Sequence, residues 1–167
     1  GLMFGIGGFV GAPHFFNLEA MDKIIVSKYQ GRGIELPQRK TAASAGYDLQ
    51  AARTVVIEPG QMAMVPTGLK AYMQSDEVLA IHIRSSLAIK RGLMLANHVG
   101  IVDADYYNNE ANEGHIFIAL WNRGKEPVEI EGGERIAQGI FMKYLTADGD
   151  MAGEGEVRRG GFGSTGR

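Results

Sequence analysis

The sequence predicts an all-β protein, a sandwich or jelly roll with one short helix. Short apolar segments of strand length recur along the chain, turn signals containing glycine or proline separate them, and one segment carries the start and stop signals of a helix. Strands at such close, regular spacing are typical of sandwiches and jelly rolls. The 167 residues are enough for one domain with a core of its own.

The first four predicted strands are short. Ile24–Val26 is a β-branched run, and Thr54–Ile57 is another that ends at a Glu-Pro-Gly turn signal. Met62–Val65 and Gly68–Met73 flank Pro66 and are also apolar. We expect these four segments to be strands.

Four further strands are predicted in the second half of the chain. Val78–Ile83 and His115–Asn122 are apolar enough to be buried strands, and the second is followed by an Arg-Gly turn signal. Val128–Ile130 alternates into a Glu-Gly-Gly turn, and Ile136–Leu145 completes the set. A short helix is predicted at Leu87–Arg91. Ser85 or Ser86 would cap its start, and Gly92 would end it.

Composition excludes several classes of function. The net charge of −2 gives no electrostatic footprint for duplex nucleic acid, so no nucleic-acid partner is expected. The chain has no cysteine, which excludes disulfides and thiolate chemistry and is compatible with a reducing cytoplasm. No apolar run reaches the length of a membrane span, so no membrane partner is expected either.

The two ends of the chain differ from its middle. Gly1–Ala20 is apolar, rich in glycine and phenylalanine, and lacks the basic residues that precede a secretory apolar run. We interpret residues 1–20 as a non-native leader and Met21 as the natural start. Residues 21–150 form the predicted β-domain, and residues 151–167 form a flexible, glycine-rich arm.

Two polar stretches near predicted strands could hold phosphates and a metal ion. In Ala45–Leu49, Asp48 follows a permissive glycine and could bind hydrated magnesium, or the stretch could be a turn that enters a strand. The run Arg84, Ser85 and Ser86 combines a cation with two hydroxyls at a predicted helix start, which suits phosphate. A plain helix cap beside a solvated arginine would also explain that run.

The stretch Asn97–Tyr106 is the densest in polar groups. The amide of Asn97 can pair with both a donor and an acceptor on a base edge, and Gly100 permits close backbone approach in a predicted tight hairpin. Asp103 and Asp105 alternate, so in an extended segment they would share one face. An exposed turn with solvating acids is the alternative.

Two glycine-bearing stretches complete the set of five. Gly133–Gln138 starts a strand after a turn, and by itself it could be purely structural. The last nine residues, Arg159–Arg167, combine one aromatic ring, two hydroxyls and two arginines with bare backbone amides. Such groups suit closure over a planar base and its phosphates, and a flexible tail is the alternative.

Taken in order, the five stretches resemble the five motifs of the trimeric deoxyuridine triphosphatase (dUTPase) family. The resemblance extends from about Ile24 to Gly166. It implies a jelly-roll homotrimer with an exchanged C-terminal arm and active sites at subunit interfaces. It also implies magnesium-dependent hydrolysis of dUTP to dUMP and pyrophosphate, which lowers dUTP and supplies dUMP for thymidylate synthesis.

The resemblance also assigns a role to each motif residue. Asp103 matches the aspartate that activates water, Asp48 the acid associated with hydrated magnesium, and Tyr106 the ring that packs under deoxyribose and excludes a 2′-hydroxyl. Phe162 matches the ring that covers uracil. The remaining positions match residues that contact the substrate: Arg84, Ser85, Ser86, Asn97, Gly100, Val102, Gln138, Arg159, Gly163, Ser164 and Thr165.

Three departures from the family pattern stand out. Ile83 replaces a frequent proline, and Tyr107 replaces a frequent arginine. The polar segment Asn108–Gly114 is longer than the usual connection, and we expect an exposed loop near the mouth of the site or the trimer axis.

Two other functions remain open at this stage. A dCTP deaminase shares the fold, but it would need a glutamate base near the Arg84–Ser86 segment, where Leu87–Arg91 follows instead. A non-catalytic nucleotide sensor would keep the pocket and could use the Asn108–Gly114 loop to contact a protein partner.

Overall fold

The computed structural model describes residues 21–152, so the predicted leader and the tail motif Arg159–Arg167 lie outside the described residues. Within this range the chain forms nine strands, two α-helices and two 3₁₀ turns. The helices are α1 (Met21–Ile24) and α2 (Ser85–Arg91), and the 3₁₀ turns are Ser27–Tyr29 and Ala104–Tyr106. The strands are β1 (Tyr47–Gln50), β2 (Val55–Ile57), β3 (Met62–Pro66), β4 (Glu77–Ile83), β5 (Leu93–Leu95), β6 (Gly100–Asp103), β7 (Phe117–Asn122), β8 (Val128–Ile130) and β9 (Arg135–Lys143).

The strands form three antiparallel sheets. The largest has the order β1-β9-β4-β6, the second has the order β3-β7-β5, and β2 pairs with β8. Strand β4 is central because it pairs with β9 along its whole length and with β6 along its first half. This sheet therefore carries three of the motif stretches, on β1, β6 and β9, and the Arg84–Ser86 stretch directly follows β4.

Apolar side chains from all three sheets meet in one core. Leu79 of β4, Leu120 of β7 and Ile130 of β8 are all fully buried, and each comes from a different sheet. Burying such a side chain contributes roughly 1.5–3 kcal/mol, which is why these short strands hold together. The fully buried large side chains are Ile24, Leu49, Ile57, Leu69, Leu79, Leu93, Ile116, Ile118, Leu120, Ile130 and Ile136.

Six of the eight predicted strands are confirmed, and two are wrong. Ile24–Val26 is the end of α1 followed by a single bridge from Ile25 to Leu69, and Gly68–Met73 forms no continuous ladder. Both segments are apolar because they are buried against the core, so burial rather than strand pairing explains their composition.

The predicted helix is confirmed, but its predicted cap is wrong. Arg84 occupies the N-cap position of α2, and Ser85 is already the first helical residue. Gly92 ends the helix in the left-handed conformation, with φ of 66°, as expected. None of the helices within residues 21–152 is long and apolar enough to cross a membrane.

Candidate active site

A cavity of about 280 Å³ lies beside β6. It is lined by Asn97, Gly100, Val102, Asp103 and Tyr106, together with apolar groups. One stretch of chain therefore brings a side-chain amide, a carboxylate and an aromatic ring to the same cavity.

The turn before β6 does not form the predicted hairpin. Strand β5 pairs with β7 and β6 pairs with β4, so residues 96–99 connect two different sheets. The backbone folds tightly there, with His98 at φ of 62° and the Val99 amide donating to the Asn97 carbonyl over 2.7 Å. This turn places the Asn97 side chain over Gly100.

Close packing disfavours a side chain at position 100. A Cβ at this position would lie 3.2 Å from the Cβ of Ile81 and 3.6 Å from Nδ2 of Asn97. Any side chain here would crowd the cavity. The prediction of close backbone approach at Gly100 is consistent with this geometry.

Asp103 and Asp105 do not share a face. Strand β6 ends at Asp103, and residues 104–106 turn into a 3₁₀ helix, so the alternation of an extended segment stops. Asp103 is exposed and lines the cavity, whereas Asp105 is not among the lining residues. The turn thus separates the roles of the two acids.

Tyr106 is buried and held at both its backbone and its hydroxyl. Its Oη donates to the carbonyl of His115 over 2.6 Å and accepts from Nδ2 of Asn112 over 2.9 Å. Its own carbonyl accepts from Nδ2 of Asn109 over 2.8 Å. The ring is therefore fixed against the cavity by groups of the following loop.

That loop, residues 108–114, is less exposed than expected. Asn109 and Gly114 are buried, and only its middle residues and Asn108 are exposed. Asn109 is buried because its amide bonds the loop to Tyr106 and caps the backbone amides of Ala111 and Asn112.

A second polar cluster lies on one face of the large sheet. Asp48 of β1 is the register partner of Gln138 of β9, which is in turn the partner of His82 of β4. Register partners project to the same face with Cβ atoms about 4.5–5.5 Å apart. The three side chains therefore form a polar row across three strands.

Two further contacts tie the predicted motifs together in this cluster. The Nη1 atom of Arg135 lies 3.3 Å from Oδ2 of Asp48. A Cβ at Gly46 would lie 2.3 Å from Oε1 of Gln138. The absence of a side chain at Gly46 therefore makes room for the Gln138 side chain. Arg84 lies beside this cluster, because its backbone amide donates to the Ile136 carbonyl and its Nη1 lies 3.4 Å from the Arg135 carbonyl.

The two clusters lie at opposite ends of β4. Asp103 is the register partner of Val78 near the start of β4, whereas Arg84, Ser85 and Ser86 follow its end. Six residues of extended chain separate Val78 from Arg84, which corresponds to about 20 Å. One chain therefore does not bring Asp103 to the Arg84–Ser86 segment.

Asp48 fits a hydrated magnesium ion better than a directly bound one. No group of three or more candidate metal ligands occurs within residues 21–152. Magnesium keeps several waters and is held by one or two carboxylates together with phosphate oxygens. The single, partly exposed carboxylate of Asp48 suits a magnesium ion that keeps its waters.

Three residues near these clusters were missed by the sequence analysis. His82 was given no role there, although its period-two spacing from Arg84 was an available signal. Arg135 contacts Asp48, and Asn112 contacts Tyr106. Neither contact could be read from spacing, because each depends on how separate segments pair. The expected tail contacts of Arg159, Phe162, Gly163, Ser164 and Thr165 lie outside the described residues.

Comparison with known protein families gives one consistent match. The family model described as dUTPase matches residues 32–166. A deoxyuridine 5'-triphosphate nucleotidohydrolase from Lactococcus lactis is 56% identical over 142 residues, covering 85% of this chain and 95% of the relative. The same enzyme from Chromobacterium violaceum is 39% identical over 138 residues, covering 79% of this chain and 88% of the relative.

Comparison with solved structures agrees. The crystal structure of the dUTPase from Streptococcus mutans matches with a TM-score of 0.72 and 49% identity. The match covers 75% of this chain and 97% of that chain.

Proposed function

Because the chain belongs to the dUTPase family, we propose that Asp103 activates the water that attacks the α-phosphate of dUTP. The chain is an enzyme, a dUTP diphosphatase of nucleotide metabolism. The observation that carries the assignment of Asp103 is its place in one cavity with Asn97 and Tyr106. A carboxylate beside the base and sugar pocket is close to the α-phosphate of a bound nucleotide.

The proposed reaction consumes one water. Asp103 accepts a proton from the water as its oxygen attacks the α-phosphorus. The bond from that phosphorus to the bridging oxygen breaks, and pyrophosphate leaves with dUMP as the other product. General-base assistance typically contributes 10²–10⁴-fold in rate. The reaction lowers dUTP and supplies dUMP for thymidylate synthesis, which we place in the cytoplasm.

Uracil is proposed to pair with Asn97 and the backbone of β6. Strand β6 lies at the edge of its sheet, so alternate backbone groups point away from β4 toward the cavity. These groups and the Asn97 amide can satisfy the acceptors and the imide proton of uracil. Cytosine presents the reverse polarity at two positions, and unpaired buried groups are strongly penalised. Gly100 and Val102 contact the base because they line the same cavity.

The phosphates are proposed to bind at the end of β4 and beside Gln138. Arg84, Ser85 and Ser86 follow β4, and the serine hydroxyls are not needed as the N-cap because Arg84 takes that position. Asp48 would hold hydrated magnesium on the triphosphate, and the ion would offset charge on the pyrophosphate leaving group. The Asp48 contact with Arg135 keeps the carboxylate on this face of the sheet.

The separation of the two clusters supports a homotrimer with shared sites. Because Asp103 lies about 20 Å along β4 from Arg84, we propose that a site combines the cavity of one subunit with the phosphate cluster of another. In this jelly-roll homotrimer, a third chain would supply the arm. Phe162 would cover uracil, while Arg159, Gly163, Ser164 and Thr165 would close on the phosphates. The matched family model includes these positions.

An apolar surface supports the same assembly. On the sheet β3-β7-β5, Met62, Trp121 and Met94 are register partners and form a row on the face that points away from the core. Trp121 is 42% exposed and Met62 is 55% exposed. We call this row the methionine–tryptophan face. Exposed apolar patches of this kind mark protein contact sites, and burial in the trimer would remove this one from water.

The test is pyrophosphate release from dUTP with magnesium, measured beside dCTP, dTTP and UTP. Release from dUTP alone is expected, because the proposed base contacts reject cytosine and Tyr106 rejects ribose, while the methyl group of thymine has to be rejected by close fit. Release from UTP at a similar rate would contradict the role of Tyr106. Ammonia release from dCTP would instead support a deaminase, and binding of dUTP without hydrolysis would support a nucleotide sensor.

A further inference from the structure

The loop after Tyr106 makes contacts that a simple connection would not need. Residues 108–114 carry two side-chain amides, Asn109 and Asn112, that both reach Tyr106. This is the segment that is longer than usual for the family. Asn112 reaches the hydroxyl and Asn109 reaches the backbone carbonyl of Tyr106, and neither asparagine lines the cavity.

The hydroxyl of Tyr106 is held from two sides. A phenol has one donor hydrogen and can accept through its lone pairs. Its hydrogen goes to the carbonyl of His115, and Nδ2 of Asn112 donates to the same oxygen. Two bonds in different directions restrain the ring against sliding along its own axis as well as against tilting.

Asn112 is itself held in place. Its Oδ1 accepts from Nδ2 of Asn109 over 2.8 Å and from the backbone amide of Gly114 over 3.0 Å. These bonds fix the side-chain amide so that Nδ2 faces Tyr106. The orientation of Asn112 is therefore determined by the loop and does not depend on a substrate.

Both ends of the loop are anchored to other parts of the fold. Near its start, Oδ1 of Asn108 accepts from Nζ of Lys70 over 2.6 Å. Near its end, the carboxylate of Glu113 accepts from the backbone amide of Ser27 over 2.9 Å. Lys70 is buried, so its charge is offset within this cluster rather than by water. The loop is thus a rigid support behind the ring.

We propose that Asn112 is a positioning residue that sets the discrimination between deoxyribose and ribose by fixing the Tyr106 ring. The inference rests on the proposed role of Tyr106 against the sugar. Excluding a 2′-hydroxyl is a matter of space, so the ring must not yield by the width of one oxygen atom. A ring held only by packing would yield more readily than one bonded at its far end.

The test compares the ratio of kcat/KM for UTP to that for dUTP in matched variants. Asn112→Ser is too short to reach Tyr106, while its hydroxyl can still accept from the Gly114 amide in a local turn. Tyr106→Phe keeps the ring but removes both hydroxyl contacts, the one with Asn112 and the one with the His115 carbonyl. Glu110→Gln, at an exposed position in the same loop, is the control.

We expect the ratio to rise about fivefold in Asn112→Ser, the change that follows from one lost hydrogen bond, and by at least as much in Tyr106→Phe, which loses two. The double variant should show no further rise, and Glu110→Gln should match the parent. An equal loss of kcat/KM for both nucleotides, or a lower melting temperature with an unchanged ratio, would show a purely structural role and overturn the proposal.

Tyr106→Ala separates this inference from the proposed function. If Tyr106→Ala leaves the ratio unchanged, the sugar-reading role of Tyr106 is wrong, and the role of Asn112 is wrong with it. If Tyr106→Ala raises the ratio and Asn112→Ser does not, the proposal for Asn112 alone is wrong. Should Asn112→Ser not fold, Tyr106→Phe decides, because an unchanged ratio there shows that the hydroxyl contacts are not needed.

Discussion

Asp103 and Asp105 show how two identical side chains acquire different surroundings from their backbone. The sequence places them two residues apart, and an extended chain would point them the same way. The 3₁₀ turn at Ala104–Tyr106 ends the strand between them and leaves Asp103 at the cavity. That choice between strand and turn is made by tertiary packing of Tyr106, which local sequence does not reveal.

Replacing Asp103 with asparagine should remove turnover and keep binding. Asp103→Asn retains size but cannot accept a proton, so kcat should fall by at least about 100-fold. Pyrophosphate release measures the loss, and calorimetric titration with dUTP measures the binding. Asp105→Asn is the matched control and should remain active. Retained activity in Asp103→Asn would show that another group accepts the proton.

His115 should make the stability of the fold depend on pH. Burial lowers the pKa of His115 from its usual 6.5 to about 4, and the positive charge of Lys28 acts in the same direction, against an opposing effect of Glu113. Its Nε2 accepts from the Gly68 amide over 2.9 Å, a bond that protonation at this atom would break.

The sign follows from proton binding. Between about pH 6.5 and pH 4 the unfolded chain binds a proton that the folded chain does not, so the free energy of unfolding falls as the pH falls. The whole effect is at most about 3 kcal/mol. Urea unfolding at pH 7, 6 and 5 measures it. His115→Gln should flatten the dependence; an unchanged slope in His115→Gln would assign the effect to other groups.

Among the strands and helices, the sequence-based predictions succeeded where one property of the residues decides the backbone conformation. Val78–Ile83 and Val128–Ile130 are strands because β-branched residues suit a pleated, buried surface. The left-handed residue at Gly92 followed from glycine's tolerance of positive φ. The strand prediction at Ile24–Val26 was wrong because an apolar run suits any buried segment, whatever its secondary structure. The hairpin at Asn97 was wrong because the turn residues do not show which strands pair.

The sequence proposes residues for the candidate site but does not give their arrangement. Five motifs in order identified Asp48, Asn97 and Asp103 as site residues. Which of them lie together depends on register: Gln138 reaches Asp48 only because β9 pairs with β1. The distance of about 20 Å between the two clusters comes from the pairing of β6 with the start of β4, and no local pattern contains that information.

Gly46 links β1 to β9 in a way that mutation can test. In Gly46→Ala the new Cβ would lie 2.3 Å from Oε1 and 3.1 Å from Cβ of Gln138, so the end of the Gln138 side chain should move and the two strands should shift slightly while the fold survives. We expect KM for dUTP to rise severalfold with a change in the free energy of unfolding below about 1 kcal/mol. Steady-state kinetics and urea unfolding provide both values.

Gln138→Ala is the partner variant for that measurement. It should raise KM for dUTP by a similar factor. Combining it with Gly46→Ala should add little, because both changes disturb the same proposed contact, that of the Gln138 side chain with the substrate. Fully additive effects would mean that Gly46 acts on activity through some group other than Gln138.

For the whole molecule, shared sites predict that two inactive chains can restore each other. Asp103→Asn removes the base and Arg84→Ala removes a phosphate contact, and each homotrimer should be inactive. In mixed trimers some sites combine the intact cavity of one chain with the intact phosphate cluster of another. Co-expressed chains should therefore regain a measurable fraction of parental dUTP hydrolysis.

The control for complementation is a pair of variants within one cluster. Asp103→Asn co-expressed with Tyr106→Ala should gain no activity beyond that of the Tyr106→Ala chains. Asp103 and Tyr106 line the same cavity of one chain, so every cavity in a mixed trimer lacks one of the two side chains. If Asp103→Asn and Arg84→Ala also fail to complement while mixed trimers form, both clusters of a site come from one chain.

The methionine–tryptophan face has a spectroscopic consequence. Trp121 is the only tryptophan in the chain, and it lies at the centre of that face between Met62 and Met94. Intrinsic fluorescence excited at the indole therefore reports on a single location. Dilution that separates the subunits should shift the emission to longer wavelength as water reaches the ring. Assembly can therefore be followed without a label, from the emission wavelength of Trp121.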